Sequence, residues 1–133
     1  CFVLQPRGTT GYCHRIICTQ DYSAVTAACM MVKRSAFNEV GGLTEELAVA
    51  FNDIDFCMKL RAAGYLIVYN PYAELYHYES KSRGLEDTPE KVARFNKEIQ
   101  IFERRWPDIM RDGDPYYNPN LTLKSQDFSL KRI

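Results

Sequence analysis

The chain has 133 residues, 46% hydrophobic and 26% charged, which suits one soluble-type domain that buries about two thirds of its unfolded surface. Seventeen Lys and Arg balance 17 Asp and Glu, so there is no general electrostatic pull toward nucleic acid or an anionic membrane, and any anion site has to be local. The longest nearly apolar run, AVTAACMMV at 24–32, is nine residues, far too short to span a bilayer.

The start, CFVLQPRG, lacks an initiator methionine and reads as cut from something longer. Residues 1–23 hold Pro6, Gly8 and Gly11 and keep neither a helical nor a strand period, so an irregular segment is expected. The run at 24–32, rich in small and β-branched residues, suits a buried strand. RSAFNEVGG then predicts a short helix with Ser35 as N-cap, Phe37 and Val40 on one face, and Gly41-Gly42 as its stop. A second helix is expected from about Asn52 to Ala63, ended by Gly64.

YLIVYN reads as a strand broken by Asn70-Pro71, and AELYHY as another strand candidate. SKSRGLED is a charged loop. The clearest helix lies in TPEKVARFNKEIQIFERRW, with Thr88 at N-cap and Pro89 first. Its stripe is Val92, Phe95, Ile99, Phe102 and Trp106. The tail from 111 to 133, with its prolines and asparagines, is expected to run extended over the surface.

Five cysteines (Cys1, Cys13, Cys18, Cys29, Cys57) are odd in number and lack CxxC spacing. Cys29 and Cys57 read as small core residues, and a reducing, cytoplasmic compartment is expected.

The helix start FNDIDFCMKLRAAGY carries two acids, Asp53 and Asp55. Stepping ~100° per residue places Asp53 on the apolar face with Cys57 and Leu60, and turns Asp55 toward solvent or another element. Capping explains Asp55: Asn52 as N-cap with Asp55 at N3 is a relative of the capping box, favoured by the helix dipole. For Asp53 the alternative is a general base, a carboxylate in a dry cleft that takes a proton from a hydroxyl. A second constellation, AELYHYESKSRG, sets His77 at a strand end before Lys81 and Arg83. Imidazole with nearby cations suits a metal and a diphosphate, and a partly buried histidine beside a solvated loop is the plain alternative.

Together, AVTAACMMVKRSAFNEVGGLTEEL and FNDIDFCMKLRAAGYLIVYNPYAELYHYESKSRG resemble the second half of family 2 glycosyltransferases of the GT-A fold. The likeness is strongest over 24–84, and the later helix and GDPYYNPNLTL resemble the bacterial cell-surface-polysaccharide, rhamnosyltransferase-like branch. It implies an α/β fold, part of a GT-A domain: a mixed sheet flanked by helices (core motifs 24–84, helix 85–110, extended tail 111–133). It also implies that Asp53 is the base of an inverting transfer and that His77 holds a divalent cation. Lys81 and Arg83 would lie in the loop over the diphosphate, with Asn52 and Asp55 in support. Asn52 replaces the family's usual glutamate, and Thr44 stands where Gly-Gly-x-Asp-Glu is common.

No Asp-x-Asp follows a suitable strand here, so about half of such a site is expected from this chain, inactive by itself. The implied cofactor is Mg²⁺ or Mn²⁺. The implied partners are a nucleoside diphosphate sugar and a saccharide or lipid-linked acceptor, with no nucleic acid, in a cytoplasmic setting that includes the inner face of a membrane. Two other classes stay open. One is a non-catalytic saccharide-binding module using Tyr69, Tyr72, Tyr76 and Tyr78. The other is an interaction piece whose apolar surfaces drive self-association into a homo-oligomer.

Overall fold

Helix α2 (Asn52–Ala62) is the element around which the others pack, and its burial explains the arrangement. Asp55, Phe56, Cys57, Met58 and Leu60 are all buried, so consecutive residues, rather than one stripe, face other parts of the chain. The computed structural model describes residues 6–77, 88–125 and 127–131. Among these, the order is β1 (Gln20–Tyr22), α1 (Arg34–Glu39), α2, β2 (Ile67–Tyr69), α3 (Pro89–Arg105) and α4 (Pro107–Asp112). The architecture is mixed α and β.

In place of a mixed sheet, β1 and β2 form a two-stranded antiparallel pair with Asp21 opposite Val68. β1 falls where an irregular segment is expected. Tyr22 and Tyr69 meet edge to face at 5.8 Å, and the Tyr69 hydroxyl donates to the Ile16 carbonyl at 2.9 Å. The run 24–32 is not a strand: its middle, Ala27–Cys29, makes a 3-10 turn capped by Thr26. Ala27, Ala28 and Cys29 are exposed and Met31 is 99% exposed. Cys29 is therefore not a core residue, whereas Cys57 is. No described segment pairs with this run, and β-branched composition by itself cannot supply a ladder.

Ala36, Phe56, Cys57, Leu60 and Ile67 form the core cluster, with Val25, Met30 and Phe37 packed against it. The Phe37 and Phe56 rings lie 5.3 Å apart. Burying Phe56, which is 1% exposed, stabilises the fold by roughly 1.5–3 kcal/mol, and the partly buried Phe37 contributes less. α1 has Lys33 rather than Ser35 at its N-cap position, with no side-chain capping bond. It ends, as expected, at Gly41 and Gly42, both at positive φ.

α3 begins with Thr88 as its cap, accepting from the Lys91 N–H, and Pro89 at N1. Its buried line differs from the expected stripe. Glu98, Ile101 and Phe102 are buried, while Val92 and Phe95 stay over 40% exposed, because the chain covers the C-terminal half of the helix more fully. The tail does not run extended. It turns back on itself through a Leu121–Leu130 bridge with Leu121 buried. Asp114 accepts from Ser23 at 2.5 Å, and Arg15 donates to the Tyr116 carbonyl at 3.1 Å. AELYHY is irregular over 73–77, and Tyr78 lies outside the described residues.

A Cβ at Gly42 would lie 2.8 Å from the Phe37 ring, whereas one at Gly41 would meet open space. Both glycines have positive φ, which costs an alanine roughly 1–2 kcal/mol. Gly42→Ala adds overpacking against a core ring. Urea denaturation should show Gly42→Ala losing about 2 kcal/mol or more, and Gly41→Ala losing measurably less.

Candidate functional site

The first turn of α2 brings Asn52, Asp53 and Asp55 together, but not as capping predicts. The N-cap is Phe51, in the left-handed region at φ 62°, with no side-chain cap. Asn52 Oδ1 instead accepts from the Asp53 N–H at 2.7 Å. A left-handed non-glycine residue is disfavoured by roughly 1–2 kcal/mol. Here the Phe51 ring is held against Phe95 at 5.6 Å and Phe102 at 5.3 Å between centroids. The preceding amide, Ala50 N–H, donates to buried Glu98 Oε2 at 2.6 Å.

Asp55 faces another element, not solvent, and is fully buried. Its Oδ1 accepts from Arg105 Nε and Trp106 Nε1, both at 2.8 Å, and its Oδ2 from the Thr44 hydroxyl at 2.6 Å. Lys59 Nζ lies 4.0 Å away and also donates to the Gly42 carbonyl. The carboxylate is thus a junction, not a cap. Burial pushes its proton affinity up, but the hydrogen bonds from Thr44, Arg105 and Trp106 outweigh that and hold it below the ordinary range. Burial likewise lowers the Lys59 ammonium's pKa, against the pull of Asp55.

Asp53 is half-buried. Its Oδ2 accepts from the Ala27 N–H at 3.1 Å and its Oδ1 from the Ile54 N–H at 2.9 Å. The carboxylate therefore faces the turn in the 24–32 run. That run and β2 also flank an apolar groove of about 270 Å³, lined by Val25, Met30, Val32, Cys57 and Ile67.

His77 is exposed and ends an irregular stretch rather than a strand. Lys81 and Arg83 lie outside the described residues. Among the described residues no three His, Cys, Asp or Glu side chains converge to hold a metal ion. No helix among them is long and apolar enough to cross a membrane. Tyr72 and Tyr76 are exposed beside a hollow that Arg7 and Glu74 also line, while Tyr69 packs on Tyr22.

Sequence reasoning missed Arg105, Trp106, Glu98 and Lys59 as partners of the α2 start. The available signal was RRW at the end of α3, a rigid donor cluster that a buried acid can use.

The chain is 57% identical over 129 residues to the uncharacterized protein y4gI of Sinorhizobium fredii. It is 35% identical over 114 residues to the O-antigen biosynthesis protein RfbC of Myxococcus xanthus. It is 37% identical over 78 residues to the N-acetylglucosaminyl-diphospho-decaprenol L-rhamnosyltransferase of Mycobacterium tuberculosis. These matches take in 96%, 86% and 59% of this chain but 14%, 8% and 25% of the relatives' lengths. No family model and no solved structure matches. The chain is thus similar to segments of longer proteins, two of them named for polysaccharide synthesis or sugar transfer.

Because the folded value of Asp55 is depressed, its stabilising contribution is complete above the ordinary aspartate value of 3.8. It is lost as the pH falls through the folded value. Urea titrations from pH 7 to pH 3 should show Asp55→Asn less acid-sensitive than the wild type. At pH 7, Asp55→Ala should cost about 3 kcal/mol, since it leaves Arg105 and Trp106 without their acceptor.

Proposed function

We propose that this chain is the acceptor-side portion of a GT-A, family 2 glycosyltransferase and carries the general base of an inverting sugar transfer in polysaccharide synthesis. One observation carries the reading. Asp53 stands half-buried on the first turn of α2, with two backbone N–H groups on its carboxylate. A carboxylate offers about four acceptor positions, so a hydroxyl can still be received. The similarity to RfbC and to the rhamnosyltransferase supports sugar transfer as the class. The small share of those relatives that it spans supports a site completed by residues elsewhere in a longer protein.

In this reading Asp53 takes the acceptor hydroxyl's proton as that oxygen bonds to the anomeric carbon. The carbon–oxygen bond to the nucleoside diphosphate breaks on the opposite face, and the diphosphate leaves with the electron pair, so the configuration inverts. The acceptor is a saccharide or a lipid-linked molecule, met in a cytoplasmic setting that includes the inner face of a membrane. Lys81 and Arg83 contact the diphosphate, and Asn52 supports the helix start. Mg²⁺ or Mn²⁺ belongs to the proposal as a group held largely by residues beyond those described, with His77 the nitrogen donor offered here. When bound, the ion would neutralise the charge that develops on the leaving diphosphate.

The exposed rings of Tyr72 and Tyr76 favour a second reading, a saccharide-binding surface without catalysis. Asp53→Asn separates the two. In the longer protein, assayed by nucleoside diphosphate release from a panel of sugar nucleotides, it should lower turnover by ~10²-fold or more with donor affinity nearly unchanged. Turnover close to wild type would remove the base and leave the binding surface.

A homo-oligomer of the 133-residue chain is also part of the proposal, supported by exposed Met31, Leu66 and Val68 beside the apolar groove. Burial there is worth ~25 cal/mol per Å². Light scattering should find a dimer that Met31→Glu dissociates, and a monodisperse monomer at high concentration would refute it.

A further inference from the structure

Five contacts from α3 and its C-cap residue Trp106 bracket Asp53. Upstream, Glu98 holds the Ala50 amide at 2.6 Å, and Phe95 and Phe102 hold the Phe51 ring. Downstream, Arg105 and Trp106 each reach Asp55 Oδ1 at 2.8 Å. The residues gripped are 50, 51 and 55, and the one between them with a half-exposed carboxylate is Asp53. Phe51 sets the direction in which the chain enters α2 through a backbone angle disfavoured for any residue but glycine. Such an angle persists where its surroundings over-determine it, and here α3 provides those surroundings.

We propose that Trp106 and Arg105, acting through Asp55, are positioning residues that hold the Asp53 carboxylate in register with the Ala27 turn. This rests on the reading of Asp53 as the base. A general base has to be held within about 0.5 Å and 10–20° of its working geometry. The Ala27 and Ile54 N–H groups hold the Asp53 carboxylate directly, but the N-cap Phe51 adds no side-chain bond to fix the turn that carries it. The indole suits the task because its N–H is a donor only and sits on a rigid ring. Arg105 adds a charge-assisted bond that fixes the same oxygen. The junction of α3 and α4 at Trp106 thereby sets where the first turn of α2 points.

Trp106→Phe keeps an aromatic ring and removes one donor. In the 133-residue chain, amide exchange followed by NMR should rise ~10-fold or more at Ala27 and Ile54, whose N–H groups lie on the Asp53 carboxylate. The β1–β2 amides should stay within about twofold. Unchanged exchange at Ala27 and Ile54 would overturn the proposal. So would an equal rise everywhere, which marks a merely structural role.

In the longer protein, Trp106→Phe should lower kcat ~10-fold with KM for the sugar nucleotide unchanged. It should have no further effect in an Asp53→Asn background, and an additive loss there would sink the positioning role. The base reading fails by a different sign, an Asp53→Asn variant that turns over normally, while the exchange experiment remains decisive for the clamp.

Discussion

A single buried carboxylate, Asp55, joins parts of the chain that are far apart in sequence. Its oxygens take hydrogen bonds from residue 44 before α2 and from residues 105 and 106 at the end of α3. Taking such a charge out of water is expensive, and the cost is offset only when nearly every lone pair is used. Three short donors at Asp55 come close to that condition, with Lys59 at 4.0 Å adding a further cation. A network of this kind tolerates few alternatives, so the α2–α3 relationship follows from it. An apolar contact of similar area would permit sliding.

This junction gives a physical account of the departure at residue 44. The glycosyltransferase pattern that the chain resembles commonly has an acid there, whereas this chain has Thr44, whose hydroxyl donates to Asp55 at 2.6 Å. A carboxylate at that position could only accept. Thr44 therefore belongs to the same unit as Arg105 and Trp106, and Lys59 links it to the Gly42 carbonyl at the end of the α1 turn. Through these bonds the short helix α1, the glycine stop and the start of α2 are one connected piece.

The fold treats the two acids of NDID differently, and the one that a helical wheel puts on the apolar face is the less buried. Asp55 is sealed within the fold and tied on both oxygens. Asp53 is half-buried and held by backbone amides, with the rest of its carboxylate available. That division of labour suits the proposed chemistry, because a proton acceptor needs reach and its support needs rigidity. The apolar flank beside it, with Met31 almost wholly exposed, suits a surface that another body covers.

Local signals in the sequence marked three of the helices and some of their ends. Thr88-Pro89 opens α3, Gly41-Gly42 closes α1, and the pattern of NDIDFCMKLRA yields α2, since caps, glycine φ angles and helical period act within a few residues. The β2 strand was legible for the same reason. The run 24–32, the AELYHY stretch and the folded-back tail were not, because whether an extended segment becomes a strand depends on partners remote in sequence. For Asp55 the wheel left solvent and another element open, and only the fold chose the second. A wheel assumes one buried face, but α2 is enclosed by the core cluster on one side and the Arg105–Trp106 corner on another. The residue types at the helix start were set by sequence. Which acid is sealed in and which is left half-exposed was decided by tertiary structure, because donors 50 and 51 residues away supply the bonds that make burial of one carboxylate possible.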